Sequence, residues 1–258
     1  MLRTRQFLTV SLTAVCGLVL GAAGQAHAAY VQPFTENFES YTVGDSIFTA
    51  NTAWTQITGG SNRSAVVQSA TDVSKSSYYG LGDGQMLRWL DTDGSNLFTT
   101  NMNFTGDTKG HFSFDLWFES QPSDNFRLSL LDSGGKEGAR IDFNTDRNIT
   151  LYLGTSKTAS VLGTYATQGK YSFLFTYDVS GASDVWTVSM NAGTPVTSNS
   201  YNGNNLADLS NFKISSVNGD SQVKAEFDNI SDTAIPEPAS LALLALGSML
   251  VLPRRRHA

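Results

Sequence analysis

Cysteine and histidine are almost absent from this chain. Cys16 is the one cysteine and lies in an apolar N-terminal segment, and the three histidines are His27, His111 and His257. No disulfide can form within the chain, and a zinc centre built from cysteine and histidine is excluded outside the two end segments. His111 is the one histidine between those segments, and no G-x-S-x-G motif accompanies it. We therefore predict no catalytic residues.

Charged residues are also scarce, at 16% of the chain. The end segments contain five of the 17 basic residues but one of the 23 acidic residues, so the central part has a net charge of about −10. A surface this acidic repels phosphate backbones, and no basic cluster offsets it. The composition therefore excludes nucleic acid as a partner.

Long apolar runs occur at the two ends of the chain. Near the N-terminus, Arg3 and Arg5 precede an apolar stretch over 7–20, and an A-x-A cleavage site ends at Ala28. This order is typical of a secretory signal peptide. We predict that residues 1–28 are a signal peptide and that the protein is exported through the inner membrane.

The C-terminal segment, residues 235–258, contains three parts in order. Pro236, Glu237 and Pro238 come first, an apolar stretch over 239–252 follows, and an arginine cluster comes last, formed by Arg254, Arg255 and Arg256. A helix over the apolar stretch would be about 21 Å long, which is short of the ~30 Å hydrocarbon core. The arginines would hold its end on the cytoplasmic side. The segment predicts a short membrane helix that anchors the chain transiently.

These three parts resemble the PEP-CTERM sorting domain of Gram-negative bacteria. The resemblance implies that an exosortase-type membrane protease recognises Pro-Glu-Pro, removes the helix, and leaves the protein at the cell surface or in the extracellular matrix. It also implies a link to exopolysaccharide production, as in a biofilm matrix. An ordinary single-span tail anchor is the alternative.

Residues 29–234 show the alternation of polar and apolar residues that is typical of strands. In 111–119, for example, Phe112, Phe114, Leu116 and Phe118 share one face. Similar segments lie at 34–41, 64–68, 85–90, 126–130, 140–143, 149–153, 171–177, 185–190, 212–214 and 223–230. We find no amphipathic helix among them. The pattern predicts an all-β domain, an antiparallel two-sheet β-sandwich of the jelly-roll kind, with Trp54, Trp89 and Trp186 in its core.

The domain resembles the concanavalin A-like lectin/glucanase superfamily in its many strands and its length. The segments Asn37-Phe38-Glu39-Ser40-Tyr41 and Phe227-Asp228-Asn229-Ile230 also resemble the terminal strands of carbohydrate-binding jelly rolls. This resemblance implies an association with extracellular polysaccharide. It also implies a structural Ca²⁺ where the first and last strands meet, held by Glu39 and Asp228.

Asp115, Trp117 and Glu119 lie at alternate positions of one strand and so share its polar face. The two acidic residues are about 13 Å apart at Cα, which does not suit paired-carboxylate glycoside hydrolysis. The E-x-D-x-x-E string of laminarinase-type glycosidases is also absent. One interpretation is a plain polar strand face with a single aromatic residue. The other is a glycan site in which an exposed Trp117 stacks on a sugar ring, with Asp115 and Glu119 accepting hydrogen bonds from its hydroxyls.

These observations predict a secreted, non-catalytic β-sandwich protein that is associated with glycans. A polysaccharide hydrolase or lyase on the same fold is one alternative, and a purely structural or adhesive matrix protein is another.

Overall fold

The computed structural model describes residues 29–58, 63–69, 84–92, 97–120, 125–154, 158–217 and 223–235. The signal peptide, the Pro-Glu-Pro motif and the arginine cluster lie outside these residues. Within them, no helix has the length and the apolar character needed to cross a membrane. The described residues correspond to the central domain.

Strands dominate the described residues, and the regular elements follow one another as β1 (Phe34–Glu36), α1 (Ile47–Ala50), β2 (Trp54–Thr58), β3 (Arg63–Ser69), β4 (Gln85–Asp91), β5 (Thr99–Asp107), β6 (Lys109–Ser120), β7 (Phe126–Leu131), β8 (Glu137–Phe143), β9 (Asn148–Leu153), β10 (Thr158–Thr164), β11 (Lys170–Asp178), β12 (Val185–Met190), β13 (Val196–Ser198), β14 (Leu209–Ser216) and β15 (Val223–Ala234). A 3₁₀ turn at Tyr201–Gly203 lies between β13 and β14.

The strands form two antiparallel sheets, as predicted. The eight-stranded sheet has the order β13-β12-β11-β6-β15-β4-β3, with β1 paired to the second half of β15. The seven-stranded sheet has the order β10-β9-β8-β7-β14-β5-β2. Consecutive strands such as β5 and β6, or β14 and β15, lie in different sheets, so the chain repeatedly crosses between them. This arrangement is a β-sandwich.

The core between the sheets is rich in aromatic side chains. On β6, the four alternating apolar residues that the sequence singles out are buried, with exposed fractions of 0–2%. Phe114 lies at the centre, with its ring centroid 5.1 Å from those of Phe173 and Phe212. Trp54, Trp89 and Trp186 are also buried in this core, which confirms the prediction for them. Aromatic packing at these distances stabilises the fold of a chain that can form no disulfide.

The predicted strand over 34–41 is wrong in its second half. β1 ends at Glu36, because Phe38 adopts a left-handed φ of 60° and the backbone turns there. The buried Glu36 carboxylate holds this turn: it accepts hydrogen bonds from the Phe38 amide at 2.8 Å and from the hydroxyls of Tyr41 (2.6 Å) and Tyr30. The N-terminal segment is therefore fixed to the sandwich by a polar network.

A second buried carboxylate, that of Asp232, lies beside the first residue of β1, whereas Glu36 is the last residue of that strand. Asp232 on β15 is fully buried and accepts a hydrogen bond from the Tyr177 hydroxyl at 3.1 Å and another from the Gln32 amide. Burial, together with the charge of Asp107, raises the pKa of Asp232 to about 7. Asp232 is therefore a group whose ionisation bears on the stability of the fold.

Candidate functional site

The two sites predicted from the sequence meet on one surface, the face of the eight-stranded sheet that points away from the core. Asp115 on β6 and Asp228 on β15 are direct cross-strand partners. Because directly opposite residues of an antiparallel pair lie on the same face, the two carboxyl groups are neighbours. Glu39 is near enough that its charge raises the pKa of Asp228. The structure therefore brings together Asp115, Asp228 and Glu39, which the sequence assigned to separate sites.

The Asp115 carboxylate is held in one orientation by side chains from two neighbouring strands. Its Oδ1 accepts a hydrogen bond from Ser172 Oγ at 2.5 Å, and its Oδ2 accepts one from Asn229 Nδ2 at 3.0 Å. Lys170 Nζ lies 3.4 Å from the same Oδ2 and compensates the charge. Asn229 reaches this position because β15 bulges there, with a left-handed φ of 51° at Asn229.

An open pocket of about 280 Å³ lies beside Asp115. Its lining includes the hydroxyls of Ser113, Ser172 and Ser189, and the side chain of Leu174, which is 44% exposed. Hydroxyl, carboxylate and amide groups around a small apolar surface can bind a ligand that has both hydroxyls and C–H groups. The chemistry of the pocket wall suits a polyhydroxylated molecule.

Asp228, the cross-strand partner of Asp115, has a raised pKa. Burial, together with the negative charges of Asp115 and Glu39, raises the pKa of Asp228 to about 6. The Asn229 backbone N–H, which donates to Asp228 Oδ1 at 2.7 Å, and the charge of Lys170 oppose the shift. A carboxyl group with this pKa can exchange a proton near neutral pH.

The prediction of an exposed Trp117 is wrong. Trp117 lies on the polar face of β6, as the alternation indicates, but it is only 3% exposed. It is paired with Lys170 on β11 and Glu226 on β15, so long side chains flank it on both sides. Alternation determines which face a side chain occupies but does not determine what covers that face. An indole this buried cannot stack on a sugar ring.

Glu119 belongs to an ion-pair cluster and does not share the pocket of Asp115. Its Oε2 accepts a hydrogen bond from Arg88 Nε at 3.0 Å, and its Oε1 lies 3.8 Å from Lys224 Nζ. Its side chain is 9% exposed. Of the three β6 residues in the predicted site, Asp115 alone lines the pocket.

At the predicted Ca²⁺ site, the carboxylates of Glu39 and Asp228 are close enough that the charge of Glu39 raises the pKa of Asp228. Glu39 Oε1 already accepts the Gln85 amide at 2.7 Å, which ties this loop to β4. Among the described residues, no group of three or more acidic, histidine or cysteine side chains converges as a metal centre would require. Ca²⁺ at this position would need additional ligands such as backbone carbonyls, and it stays a prediction.

The sequence analysis missed a polar cluster on the outer face of the seven-stranded sheet. Asp142 on β8 accepts paired hydrogen bonds from both Arg127 (2.8 and 3.1 Å) and Arg140 (3.1 and 2.8 Å). Arg140 also lies over the rings of Tyr152 and Tyr201, 4.4 and 5.2 Å from their centroids. The alternation of β8 places Arg140 and Asp142 on one face, but nothing local in the sequence identifies Arg127 or Tyr201 as their partners.

One comparison with known proteins, that with solved structures, supports the fold. No family model matches the sequence, and no curated protein matches it either. Among solved structures, a sialidase matches with a TM-score of 0.60 and 11% identity, over 86% of this chain and 21% of the sialidase. This chain therefore spans about a fifth of that protein.

Two further solved structures are less similar. A carbohydrate-binding module from Bacillus subtilis has a TM-score of 0.40 and 12% identity, over 70% of this chain and 96% of the module. An exo-β-agarase has a TM-score of 0.46 and 12% identity, over 78% of this chain and 25% of the agarase. Likenesses this weak support no inference about activity. The sialidase likeness supports the fold alone, an antiparallel two-sheet β-sandwich.

Proposed function

We propose that this protein is an exported, exosortase-sorted β-sandwich that binds extracellular polysaccharide in the pocket beside Asp115, without catalysis. The observation that carries the proposal is the Asp115 carboxylate itself, which is fixed by Ser172, Asn229 and Lys170 at the wall of an open pocket. A preorganised acceptor loses little entropy when a sugar hydroxyl donates to it.

The rest of the pocket wall suits a sugar ring. The hydroxyls of Ser113 and Ser189 can exchange hydrogen bonds with sugar hydroxyls, and Leu174 offers an apolar surface for the C–H groups of the ring. The net charge of about −10 in the central domain repels polyanions. The proposal therefore favours a neutral polysaccharide over an acidic one.

Affinity electrophoresis through gels that contain neutral or acidic polysaccharides tests the proposal, together with a glycan array. We expect Asp115→Asn to weaken retardation by a neutral glycan, because the variant loses the charged acceptor but keeps the shape. Asp178→Asn is the matched control, since Asp178 is a partly exposed residue at the far end of β11, paired with Lys109. Equal retardation of both variants would contradict a site at Asp115, and no retardation of the wild type would favour the structural or adhesive alternative.

Hydrolysis is the second candidate function, and the Asp115–Asp228 pair favours it. Two neighbouring carboxyl groups, one with a raised pKa, are the chemical requirement for a general acid beside a nucleophile or base. Reducing-sugar release from the bound glycan tests this function. Release that disappears in Asp228→Asn would establish catalysis, whereas binding without release would establish the non-catalytic function.

A further inference from the structure

A small polar cavity lies at one end of the sandwich, away from the Asp115 pocket. The loop between β11 and β12 meets the segment that follows β13, and the two enclose a volume of about 80 Å³. The polar side chains around it are those of Ser183, Asp184, Asn199, Asn204 and Asn205. A volume of this size accommodates an ion together with bound water.

Asp184 is the buried charge at this cavity, with an exposed fraction of 2%. Its Oδ2 accepts hydrogen bonds from Ser200 Oγ at 2.6 Å and from the Leu206 amide at 2.9 Å. Its Oδ1 is also buried and has no hydrogen-bond partner among the described residues. No basic side chain in the described ranges forms an ion pair with Asp184. A buried carboxylate oxygen in this condition is costly unless a cation or a donor meets it.

Two of the surrounding asparagines have amide nitrogens that donate to backbone carbonyls. Asn199 Nδ2 donates to the Asp184 backbone carbonyl at 3.1 Å, and Asn204 Nδ2 donates to the Glu137 carbonyl at 2.8 Å. Because both amide nitrogens donate to the protein, the amide oxygens are the atoms left to act as ligands. Gly203, with a left-handed φ of 64°, brings the backbone to the wall of the cavity with no side chain in the way.

We propose that this cavity is a divalent-cation site, and that its ion is Ca²⁺. The donors are all oxygens: the Asp184 carboxylate, asparagine amide oxygens and backbone carbonyls, which is the ligand chemistry that Ca²⁺ prefers. One carboxylate supplies little negative charge, so the affinity belongs to the weak class, with Kd on the order of 10⁻⁴–10⁻³ M. This site is separate from Glu39 and Asp228.

Lys136 is the rival source of positive charge at the cavity. Its Nζ donates to the Asn205 carbonyl at 3.2 Å, on the solvent side. It makes no ion pair with Asp184 in the part of the chain that the structure describes. The Lys136 ammonium group therefore does not neutralise the buried Asp184 Oδ1, which is available to an ion.

The ion would fix the segment that carries Tyr201. Ser200 connects Asp184 to Trp186, whose Nε1 donates to Ser200 Oγ at 2.7 Å. Next to it, the Tyr201 hydroxyl accepts a hydrogen bond from Arg140 at 3.0 Å. Binding of the ion at Asp184 thus holds both the core tryptophan and one side of the arginine–tyrosine cluster on the seven-stranded sheet.

Terbium luminescence tests the proposal on the purified full-length protein. Tb³⁺ replaces Ca²⁺ in oxygen sites, and Trp186 lies close enough to sensitise its emission. We expect saturable emission that Ca²⁺ displaces, and loss of that saturable component in Asp184→Asn. Asp45→Asn removes an exposed carboxylate from the loop before α1 and is the matched control, which should retain it, whereas Asp228→Asn reports any separate ion held at the first and last strands. Asn205→Ala is a second variant at an exposed position of the same cavity, and its affinity should fall severalfold while its circular dichroism spectrum stays unchanged.

Each result bears on the proposal. Equal saturable emission in the wild type and Asp184→Asn would overturn it, as would emission that Ca²⁺ does not displace. Loss in Asp228→Asn with retention in Asp184→Asn would place the ion at the first and last strands and would overturn it too. If Asp184→Asn does not fold, Asn205→Ala decides: unchanged affinity in that variant would place the emitting ion outside this cavity and would overturn the proposal.

Discussion

Asp115 and Asp228 face each other across β6 and β15, and both point away from the core. Like charges at directly opposite positions destabilise a sheet by roughly 0.2–1 kcal/mol. Lys170 offsets part of this repulsion at Asp115. Burial and the remaining repulsion together raise the pKa of Asp228. Proteins keep such pairs where a ligand, a metal ion or a proton relieves the repulsion.

The first prediction concerns this repulsion in the absence of calcium. The folded-state pKa of Asp228 is about 6, above its usual value, so its contribution to stability is present at low pH and is lost as the pH rises towards 6 and beyond. We therefore expect Asp228→Asn, in chelator, to be more stable than the wild type at pH 7.5 by about 0.5 kcal/mol, within the range for like-charged cross-strand pairs. Urea unfolding measures the difference, and a less stable variant would contradict the prediction.

A second prediction is that Ca²⁺ reverses this order. If Glu39 and Asp228 hold an ion, a hundredfold excess over Kd adds about 2.7 kcal/mol, or roughly 5–10 °C in the melting temperature. Asp228→Asn should lose this gain. Because Asp184 is proposed to hold another ion, melts of Asp184→Asn and of the double variant separate the two contributions. Identical melts of the wild type in calcium and in chelator would exclude both sites.

A third prediction follows from Asp232, which is fully buried between Tyr177 and Gln32. Its folded-state pKa of about 7 exceeds the unfolded value, so the folded state binds the extra proton between pH 4 and 7 and stability falls as the pH rises through this window. Relative to Asp232→Asn, the wild type should lose on the order of 3 kcal/mol between pH 4.5 and 7.5. Urea unfolding at the two pH values measures this, and a pH-independent difference would show that Asp232 does not titrate there.

The local sequence predicts which strands exist and which of their faces are apolar. It succeeds for β6 and β11, because strict alternation over seven or more residues has no other regular interpretation. It misses β5 and β10, in which asparagine, alanine and glycine residues of low strand propensity interrupt the pattern, and which are held by pairing with their neighbours. Pairing between strands that are distant in the sequence overrides local preference there.

The candidate site shows the same limit. The sequence places Glu39 near the start of the domain and Asp228 near its end. It does not show that they lie near Asp115, because that proximity depends on the pairing of β15 with β6. Arg127 comes from the neighbouring strand β7, and its hydrogen bonds to Asp142 depend on the register between β7 and β8. A single sequence does not determine which distant strands pair or in which register, so the sequence alone could not predict these contacts.

The fourth prediction tests the burial of Trp117. Truncation of a large buried aromatic side chain costs about 3–5 kcal/mol, so Trp117→Ala should lower the free energy of unfolding by that amount. Leu174→Ala is the matched control on the same face of the sheet, since Leu174 is 44% exposed and its truncation should stay within about 0.5 kcal/mol. Urea unfolding of both variants is the measurement. A Trp117→Ala protein as stable as the control would restore the exposed, sugar-stacking interpretation.

The last prediction concerns processing, which involves residues outside those that the structure describes. In a host with an exosortase, the exported protein should begin at Ala29 and lack the apolar stretch and the arginine cluster, because Pro-Glu-Pro marks the segment for removal. Intact-mass analysis of the extracellular protein measures both ends. Glu237→Ala should retain the C-terminal segment in the membrane fraction, whereas Ile235→Ala, two residues earlier and at an exposed position, should be processed like the wild type. Extracellular protein that still contains Arg254, Arg255 and Arg256 would exclude sorting by cleavage. Membrane retention of the unaltered protein would indicate an ordinary tail anchor, since three arginines resist transfer across the bilayer.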